Sequence, residues 1–371
     1  MPLSRRTRIV VSTLGAWAVA AGLATAPAQA HAAPAPTGSV AAVTDRLAAQ
    51  LAGEFADDAR HAGLLSATST DPVPLARAAG DTALGRAVRD ADRAVLTAKG
   101  LPQDGTSLLT IRLAHRDMAD ALRRGAVPLV APSTTDDETT TVTAYDRGGR
   151  RVALAADRVP ARPVYLVEVD AALALAKGTE VVRSALARHG LGSAVAAASG
   201  STAPGSAASG YWATQLTSIR LEDDKEPWHK GDAEIFTITA GFGLDGKVKV
   251  DTVQLPYLDD DGKTYYPNQL LVHFNEYKYD LADIVMMEED GGTNYRDLAL
   301  ALTQALLTIV DGGAYIPLVN AILNALPDGW WTDDPDYVDS WYTLSTTTGG
   351  TLRGAAGNGT MTVTPYWVAP L

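Results

Sequence analysis

A tract of glycine, alanine, serine and proline divides the chain near its middle. Residues 191–210 read LGSAVAAASGSTAPGSAASG and contain no charged side chain and little that a core could bury. Such a composition favours a flexible linker over a helix or a strand. Because the 371-residue chain is also longer than a typical single domain, we predict two folded parts, at 38–190 and 211–371.

The two predicted parts differ in charge. From residue 211 onward the chain has 24 Asp and Glu residues and 9 Lys and Arg residues, a net charge of −15. The preceding residues carry the other 19 of the 43 acidic and 22 of the 31 basic side chains, a net charge of +3. An acidic surface repels nucleic acid and anionic lipid. We therefore expect neither nucleic acid as a partner nor stable membrane insertion of the processed chain.

Residues 1–30 have the pattern of a cleaved signal peptide. Three arginines within residues 5–8 precede the apolar run 9–26, and residues 28–30 read AQA, a small-residue pattern that signal peptidase recognises. We predict secretion with cleavage after Ala30, or alternatively after Ala32; an uncleaved membrane anchor is the less favoured interpretation. Since the chain contains no Cys, its exported form has no disulfide and needs a large core or a bound metal for stability.

The first part predicts an α+β region. Apolar residues recur at three- or four-residue spacing, as in amphipathic helices, and the helices are predicted at 43–55, 84–95, 107–124 and 171–189. Alternation of polar and apolar residues predicts strands at 139–146, 151–155 and 163–170, the first two joined as a hairpin through the turn at 147–150. Regions between a signal peptide and a linker are sometimes pro-segments that mask the second part, or adaptors, but an ordinary packed subdomain is the favoured interpretation.

The second part predicts a mainly-β domain, an antiparallel β-sandwich with an inserted helical pair. The strands are predicted at 216–221, 233–240, 248–255, 269–274, 284–287, 338–345 and 359–366. The helices are predicted at 298–309 and 316–326. Leu300 and Leu307 make the first of these helices apolar on both sides, so we expect it to be fully buried.

Clusters of carboxylates lie between these strands, and loops at one end of a sandwich converge in space. Ca²⁺ prefers six to eight hard oxygen ligands of this kind, and the order of IVMMEED at 284–290 and DDPD at 333–336 is similar to the loops of C2-type calcium sandwiches. The predicted Ca²⁺ ligands are Asp223, Asp224, Glu288, Asp290, Asp334, Asp336 and Asp339. The alternative is that these clusters are solvated turns, which is the favoured interpretation for Asp259–Asp261.

Two stretches of the second part, DDKEPWHKGDAEIF at 223–236 and DGKTYYPNQ at 261–269, are distinctive. Together with LPYL at 255–258 and DSWYTL at 339–344, they resemble a family of bacterial exported proteins classed as domain of unknown function 3103. The resemblance covers 211–365. It implies no activity, cofactor or site residue, because the family carries no established function.

The catalytic patterns that sequence can reveal are mostly absent. No HExxH zinc motif, Gly-x-Ser-x-Gly elbow or phosphate-binding glycine loop occurs. A Ser/His/Asp arrangement assembled in space remains open. His229 is a candidate general base among carboxylates, although a surface histidine is the favoured interpretation.

Tryptophans in the loops are candidates for a contact surface, because their rings can stack on a sugar or a peptide. We select Trp228, Trp330 and Trp331, and we expect Trp341 to lie in the core. The favoured function is a non-catalytic extracellular binding module supported by Ca²⁺, with a glycan, a peptide or a protein as partner. The alternative is a secreted hydrolase that uses a carboxylate pair from the acidic loops.

Overall fold

The computed structural model describes most of the chain after residue 37. The described residues are 38–55, 64, 72–80, 82–133, 140–193, 210–223, 228–230, 234–289, 291–326 and 337–370. All of them belong to the compact unit 35–371. The predicted signal peptide and residues 194–209 of the predicted linker lie outside them.

The first half of the described chain forms one mixed sheet with helices against it. Its elements are α1 (Val40–Glu54), β1 (Val73–Pro74), α2 (Leu75–Ala79), α3 (Ala83–Ala98), β2 (Leu109–Leu113), α4 (Met118–Arg123), β3 (Leu129–Pro132), β4 (Thr141–Tyr145), β5 (Arg151–Ala155), β6 (Val164–Val169) and α5 (Ala171–Arg188). The strand order is β1-β2-β6-β3-β4-β5. Only the β3–β6 pair is parallel, and the other neighbours are antiparallel.

Local sequence accounts for where the long helices of this half begin. The side-chain oxygens of Ser39, Thr82 and Asp170 accept hydrogen bonds from backbone N–H groups three residues further on. Such N-caps satisfy donors that the first helical turn leaves without partners. The predicted hairpin is confirmed as β4 and β5, which are joined through a turn in which Gly149 has a φ of 74°.

The predicted helix at 107–124 is wrong. Residues 109–113 form β2, a strand paired on both sides, and the helical part is reduced to the short α4. Leu109, Ile111 and Leu113 alternate with Thr110 and Arg112, a period of two that also fits the apolar residues used to predict a helix. Pairing with β1 and β6 decided between the two periods.

The second half contains two antiparallel sheets and a helical pair. Its elements are β7 (Tyr211–Leu221), β8 (Glu234–Phe242), β9 (Val248–Gln254), β10 (Thr264–Tyr265), β11 (Gln269–His273), a 3₁₀ turn (Phe274–Glu276), β12 (Leu281–Glu289), α6 (Tyr295–Leu307), α7 (Val319–Leu323), β13 (Tyr337–Ser345), β14 (Gly350–Arg353) and β15 (Gly359–Val368). One sheet has the order β10-β7-β15-β14, with β11 also paired to β7, and the other has the order β13-β12-β8-β9. The described chain is thus α+β, as predicted.

Strand β12 contributes side chains to two different hydrophobic cores. Val285 and Met287 belong to the large core that also contains residues of α1, α3, α5 and α6. Ile284 and Met286 belong to a second core, which draws on both sheets of the second half. Because successive side chains of a strand point to opposite faces, this sheet is covered on both sides. The residues on either side of the predicted linker therefore share the large core.

The expectation that α6 is buried all round is wrong. Leu298, Leu302 and Leu306 are buried, but Leu300 is 55% exposed and Leu307 is 47% exposed. One stripe of the helix packs on the core and the opposite stripe leaves two leucines at the surface. Trp341, by contrast, is 3% exposed and lies in the core as predicted. Within the described ranges, no helix is both long and apolar enough to cross a membrane.

Candidate functional site

A groove runs between α5 and α6, where the last helix of the first half meets the first helix of the second. Its volume is about 1030 Å³, in the range of small-molecule sites. The loop that follows α3 contributes Gly100, Pro102 and Asp104 to its wall. The helices contribute charged and apolar side chains, among them Lys177, Val181, Arg188, Arg296 and Leu300.

The two helices are in close contact at one end of the groove because Gly178 has no side chain. A Cβ on Gly178 would lie 2.2 Å from the ring of Tyr295. This glycine therefore lets the first turn of α6 pack directly against the first half of α5. The turn that follows α3 joins them, since the N–H of Tyr295 donates to the carbonyl of Lys99 at 3.0 Å.

Beneath this contact lies a buried group of three polar side chains. The Lys99 Nζ atom is 2.5 Å from Glu289 Oε1, and both side chains have 0% exposure. The Tyr295 hydroxyl donates to the other oxygen of the Glu289 carboxylate. Lys99 belongs to the first half and the other two residues to the second. An ion pair hidden from water in this way holds the wall of the groove in a fixed position.

Two of the charges in the groove are already compensated. Lys177 Nζ lies 2.6 Å from Asp104 Oδ2, and this contact, with hydrogen bonds from Thr106, holds the pKa of the Asp104 carboxyl well below its usual range. Glu180 is 3.8 Å from Arg183 and accepts a hydrogen bond from Ser184. Neither pair leaves a net charge to attract a ligand.

Two arginines of the groove, and the histidine next to one of them, have no such partner. Within the described part of the chain, no carboxylate lies at ion-pair distance from Arg188, His189 or Arg296. Arg188 and His189 lie at the C-terminal end of α5. A positive side chain at that end of a helix interacts favourably with the helix dipole. Arg296 is different, because it lies in the first turn of α6, after the N-cap Asn294. A cation at that end opposes the helix dipole, so the fold of α6 does not explain it.

A second polar cluster lies around the edge strand β9. Asp251 Oδ1 is 3.9 Å from Arg183 Nε, and the Tyr211 hydroxyl is 3.1 Å from His273 Nδ1. Burial raises the pKa of the Asp251 carboxyl, and the nearby Glu276 raises it further. Burial lowers the pKa of His273, an effect that the charges of Asp251 and Glu276 oppose. Two carboxylates with different environments can divide acid and base roles.

Of the predicted Ca²⁺ ligands, Asp223, Glu288 and Asp339 are described. Asp339 is fully buried and accepts hydrogen bonds from the N–H groups of Ser340, Ala356 and Gly359 at 2.7, 2.8 and 2.6 Å. Asp223 is exposed. Its backbone exchanges two hydrogen bonds with the side chain of Asn358, which lies in the same loop as Ala356. Glu288 is buried on β12. In the described residues, no three Asp, Glu or His side chains are arranged to hold a metal ion.

Trp228, predicted at a contact surface, is partly buried against the outer face of the first sheet. Among the described residues, its buried Nε1 has no hydrogen-bond partner. Two residues on, the carbonyl of Lys230 accepts from Arg112, whose Nε lies 2.7 Å from Glu168. This part of the acidic stretch at 221–236 therefore docks on the first half. His229, expected at the surface, has 0% exposure.

Other predicted site residues lie outside the described residues, and their roles stay predictions. They are Asp224, Asp290, Asp334, Asp336, Trp330 and Trp331.

Sequence reasoning missed the groove. Lys177, Glu180, Ser184 and Arg188 follow at three- or four-residue spacing on α5, a charged face that reads as a solvated one. The signal that points to a site is the pairing of Arg296 and Leu300 one turn apart on α6. It combines a cation in the first helical turn with an apolar residue outside the buried stripe.

The comparisons with known proteins place this chain in a family. The sequence profile of the family described as "Protein of unknown function (DUF3103)" matches residues 46–371. The chain belongs to this family. The match extends over both halves of the chain. It therefore also covers the part before the predicted linker, which the resemblance at 211–365 does not reach. No curated protein and no solved structure matches.

Proposed function

We propose that this protein is a non-catalytic extracellular binding module and that the groove between α5 and α6 receives a negatively charged ligand. The observation that carries the proposal is a pair of groove arginines, Arg188 and Arg296, with no carboxylate partner among the described residues, and His189 beside Arg188. They line one groove of a chain whose formal net charge is −12. A basic groove in an acidic protein concentrates anions locally and excludes them elsewhere.

The rigidity of the walls supports the same function. The buried Lys99–Glu289 pair and the close contact at Gly178 fix α5 and α6 before a ligand arrives. A site that is already formed loses little conformational entropy on binding. The signal-like segment at 1–30 supports the extracellular location, and the ligand then comes from outside the cell, as a small acid or as part of a glycan, a peptide or a protein.

Ca²⁺ and the finer fold belong to this proposal as well. The two sheets of the second half contribute to one core, which supports a β-sandwich with C2-like acidic loops at one end. Asp223 and Asp339 both contact the loop at 354–359, and the remaining predicted ligands would have to approach that loop to complete a Ca²⁺ site.

The groove is tested with citrate, a small polyanion, by following the thermal midpoint of the purified full chain. A ligand of the native state raises the midpoint in proportion to its occupancy, so we expect a rise of a few degrees at saturating citrate over sodium chloride of equal ionic strength. The double variant R188Q/R296Q should lose the rise, whereas Arg116→Gln, an exposed arginine outside the groove, should keep it. Equal rises in all three proteins would contradict the proposal.

The alternative is a secreted hydrolase, and the Asp251–Glu276 pair favours it over a pair in the acidic loops. A buried carboxyl with a raised pKa can serve as a general acid beside a carboxylate. Glycan and peptide substrates should then be turned over by the native protein and left intact by Asp251→Asn. Turnover that persists in Asp251→Asn would remove this cluster from consideration.

A further inference from the structure

We propose that the ligand of the groove is an amphipathic organic acid, with one anionic head and an apolar body of the size of a medium acyl chain. This inference rests on the proposed function, since it specifies what the groove binds. It follows from the juxtaposition of Arg296, a cation without a carboxylate partner, and Leu300, an apolar side chain that is 55% exposed.

The anionic head belongs at Arg296. This guanidinium lies in the first turn of α6. The N–H groups of that turn already donate to Lys99 and Asn294, so the guanidinium itself is the anchor for the anionic head. The neighbouring Lys177 is held by Asp104 at 2.6 Å and is not available without breaking that pair. A carboxylate offers the planar pair of oxygens that a guanidinium binds best.

The apolar body belongs along the rest of the groove. Leu300 lies one helical turn after Arg296 on the same face of α6. Val181 and Ala185, one turn apart on α5, line the groove with it. Together, Leu300 of α6 and the two α5 residues give the groove an apolar strip that a ligand can cover. From Lys177 to Arg188 the groove follows eleven residues of helix, about 16 Å at 1.5 Å per residue.

This pairing of one cation with an apolar strip distinguishes between ligand classes. An inorganic anion or a short acid would use Arg296 but leave Leu300 exposed. A neutral amphiphile would cover Leu300 and leave the guanidinium without a partner. An acidic peptide would bring several charges, whereas a single cation, Arg296, lies one turn from the exposed Leu300 on α6.

The probe is sodium decanoate, titrated calorimetrically into the full chain below its micelle-forming concentration, beside hexanoate, acetate, octyl glucoside and hexaglutamate. We expect decanoate to bind, hexanoate to bind more weakly, and the other three to give no saturable heat at the same concentrations. Each methylene that is buried should strengthen binding about two- to fourfold, from about 0.8 kcal/mol for full burial.

Variants of the protein test the contacts with the anionic head and with the apolar body separately. Arg296→Gln and Leu300→Ser should each weaken decanoate binding about tenfold, while Leu300→Met, which keeps an apolar side chain, should retain it. The matched controls are Arg116→Gln and Leu244→Ser, which replace an exposed arginine and an exposed leucine outside the groove. Unchanged decanoate affinity in Leu300→Ser would overturn the inference.

Failure of this inference can be told apart from failure of the proposed function. If citrate raises the thermal midpoint through Arg188 and Arg296 but decanoate does not bind, the groove is an anion site and the amphipathic ligand is wrong. If hexaglutamate binds and decanoate does not, the ligand is an acidic chain and the inference is again wrong. If neither citrate nor decanoate acts through the groove, both proposals fall.

Discussion

Two lysine–carboxylate contacts, one beneath the contact between α5 and α6 and one in the wall of the groove, have nearly the same length but different surroundings. Lys99 and Glu289 are 2.5 Å apart with both side chains at 0% exposure, whereas Lys177 and Asp104 are 2.6 Å apart with 24% and 44% exposure. Water screens the second pair and not the first. The distance between the two charged atoms therefore does not indicate how much an ion pair contributes to stability.

The buried pair affects the stability of the fold, and the exposed pair affects the net charge of the groove. Removing one partner of a buried pair leaves a charge that nothing compensates. Removing one partner of an exposed pair leaves a charge that water and ions can compensate. In the second case the freed charge is also available to a ligand.

The largest effect is expected for Lys99→Met. It removes the lysine from a carboxylate that has 0% exposure, and should lower the free energy of unfolding by about 3–5 kcal/mol. Urea unfolding of the full chain measures it. The double variant K99M/E289L should recover much of the loss, because it removes both charges. A loss below about 1 kcal/mol in Lys99→Met would mean that the pair behaves like the exposed one.

Asp339 is a third kind of carboxylate, buried like Glu289 but held by backbone N–H groups rather than by a cation. Asp339→Asn turns an amide NH₂ toward at least one of these donors and should cost about 2 kcal/mol. The cost should be the same in EDTA and in millimolar Ca²⁺, as measured by thermal unfolding, if the carboxylate has only this structural role. Asp223→Asn, at an exposed position contacting the same loop, is the control.

A different result would sharpen the Ca²⁺ prediction. If Ca²⁺ raises the midpoint of the native protein and the rise disappears in both Asp339→Asn and Asp223→Asn, the loop at 354–359 belongs to a cation site.

The carboxyl of Asp251, whose side chain is 15% exposed, should show its environment through pH. Because burial raises its folded-state pKa above the ordinary value of 3.8, the native state binds the proton more tightly, and stability falls as pH rises from 3.8 to that raised pKa. Asp251→Asn cannot ionise, so its stability relative to the native protein should rise through this range and level off above it. Thermal midpoints at several pH values measure the difference.

Asp146 is the matched control of opposite sign. The backbone N–H of Arg150 holds the pKa of the Asp146 carboxyl below its usual range, so its contribution to stability is lost as the pH falls. Asp146→Asn should therefore lose stability relative to the native protein as pH rises. A parallel pH response of the two variants would show that neither carboxyl is perturbed as described.

The smallest effect on stability is expected for Asp104→Asn. The pair it breaks is exposed, so the midpoint of unfolding should stay within experimental error. The freed Lys177 should strengthen the binding of citrate to the groove, and Lys177→Met should not. Comparing citrate titrations of the two variants checks this directly. A clear loss of stability would place this pair in the same class as Lys99 and Glu289.

Much of the secondary structure follows from the sequence where the pattern has one interpretation. The hairpin at 141–155 and the helix at 171–188 were predictable because each has a single period and clear end signals, such as the cap at Asp170. Residues 107–124 have two competing periods, and only the pairing of β2 with its neighbours decides between them. Local pattern alone carries no information about that pairing.

The candidate site was not predictable in the same way. Lys99 and Glu289 lie 190 residues apart, and neither stands in a motif. The residues of the groove come from a loop at 100–104, from α5 with its C-cap at 173–189 and from α6 at 296–303. Gly178 reads in the sequence only as a weak point in a helix, although its role is to let the ring of Tyr295 approach.

The sequence by itself determined the membership in the family, the α+β class, the difference in charge between the halves and the absence of disulfides, because these depend on composition and short-range pattern. Tertiary structure alone decided that the halves share a core, that Trp228 docks on the first sheet, and that Arg296 and Leu300 face a groove. The burial of a side chain and the pairing of its charge depend on which distant residues it contacts. Those contacts come from tertiary packing and not from any local stretch of the chain.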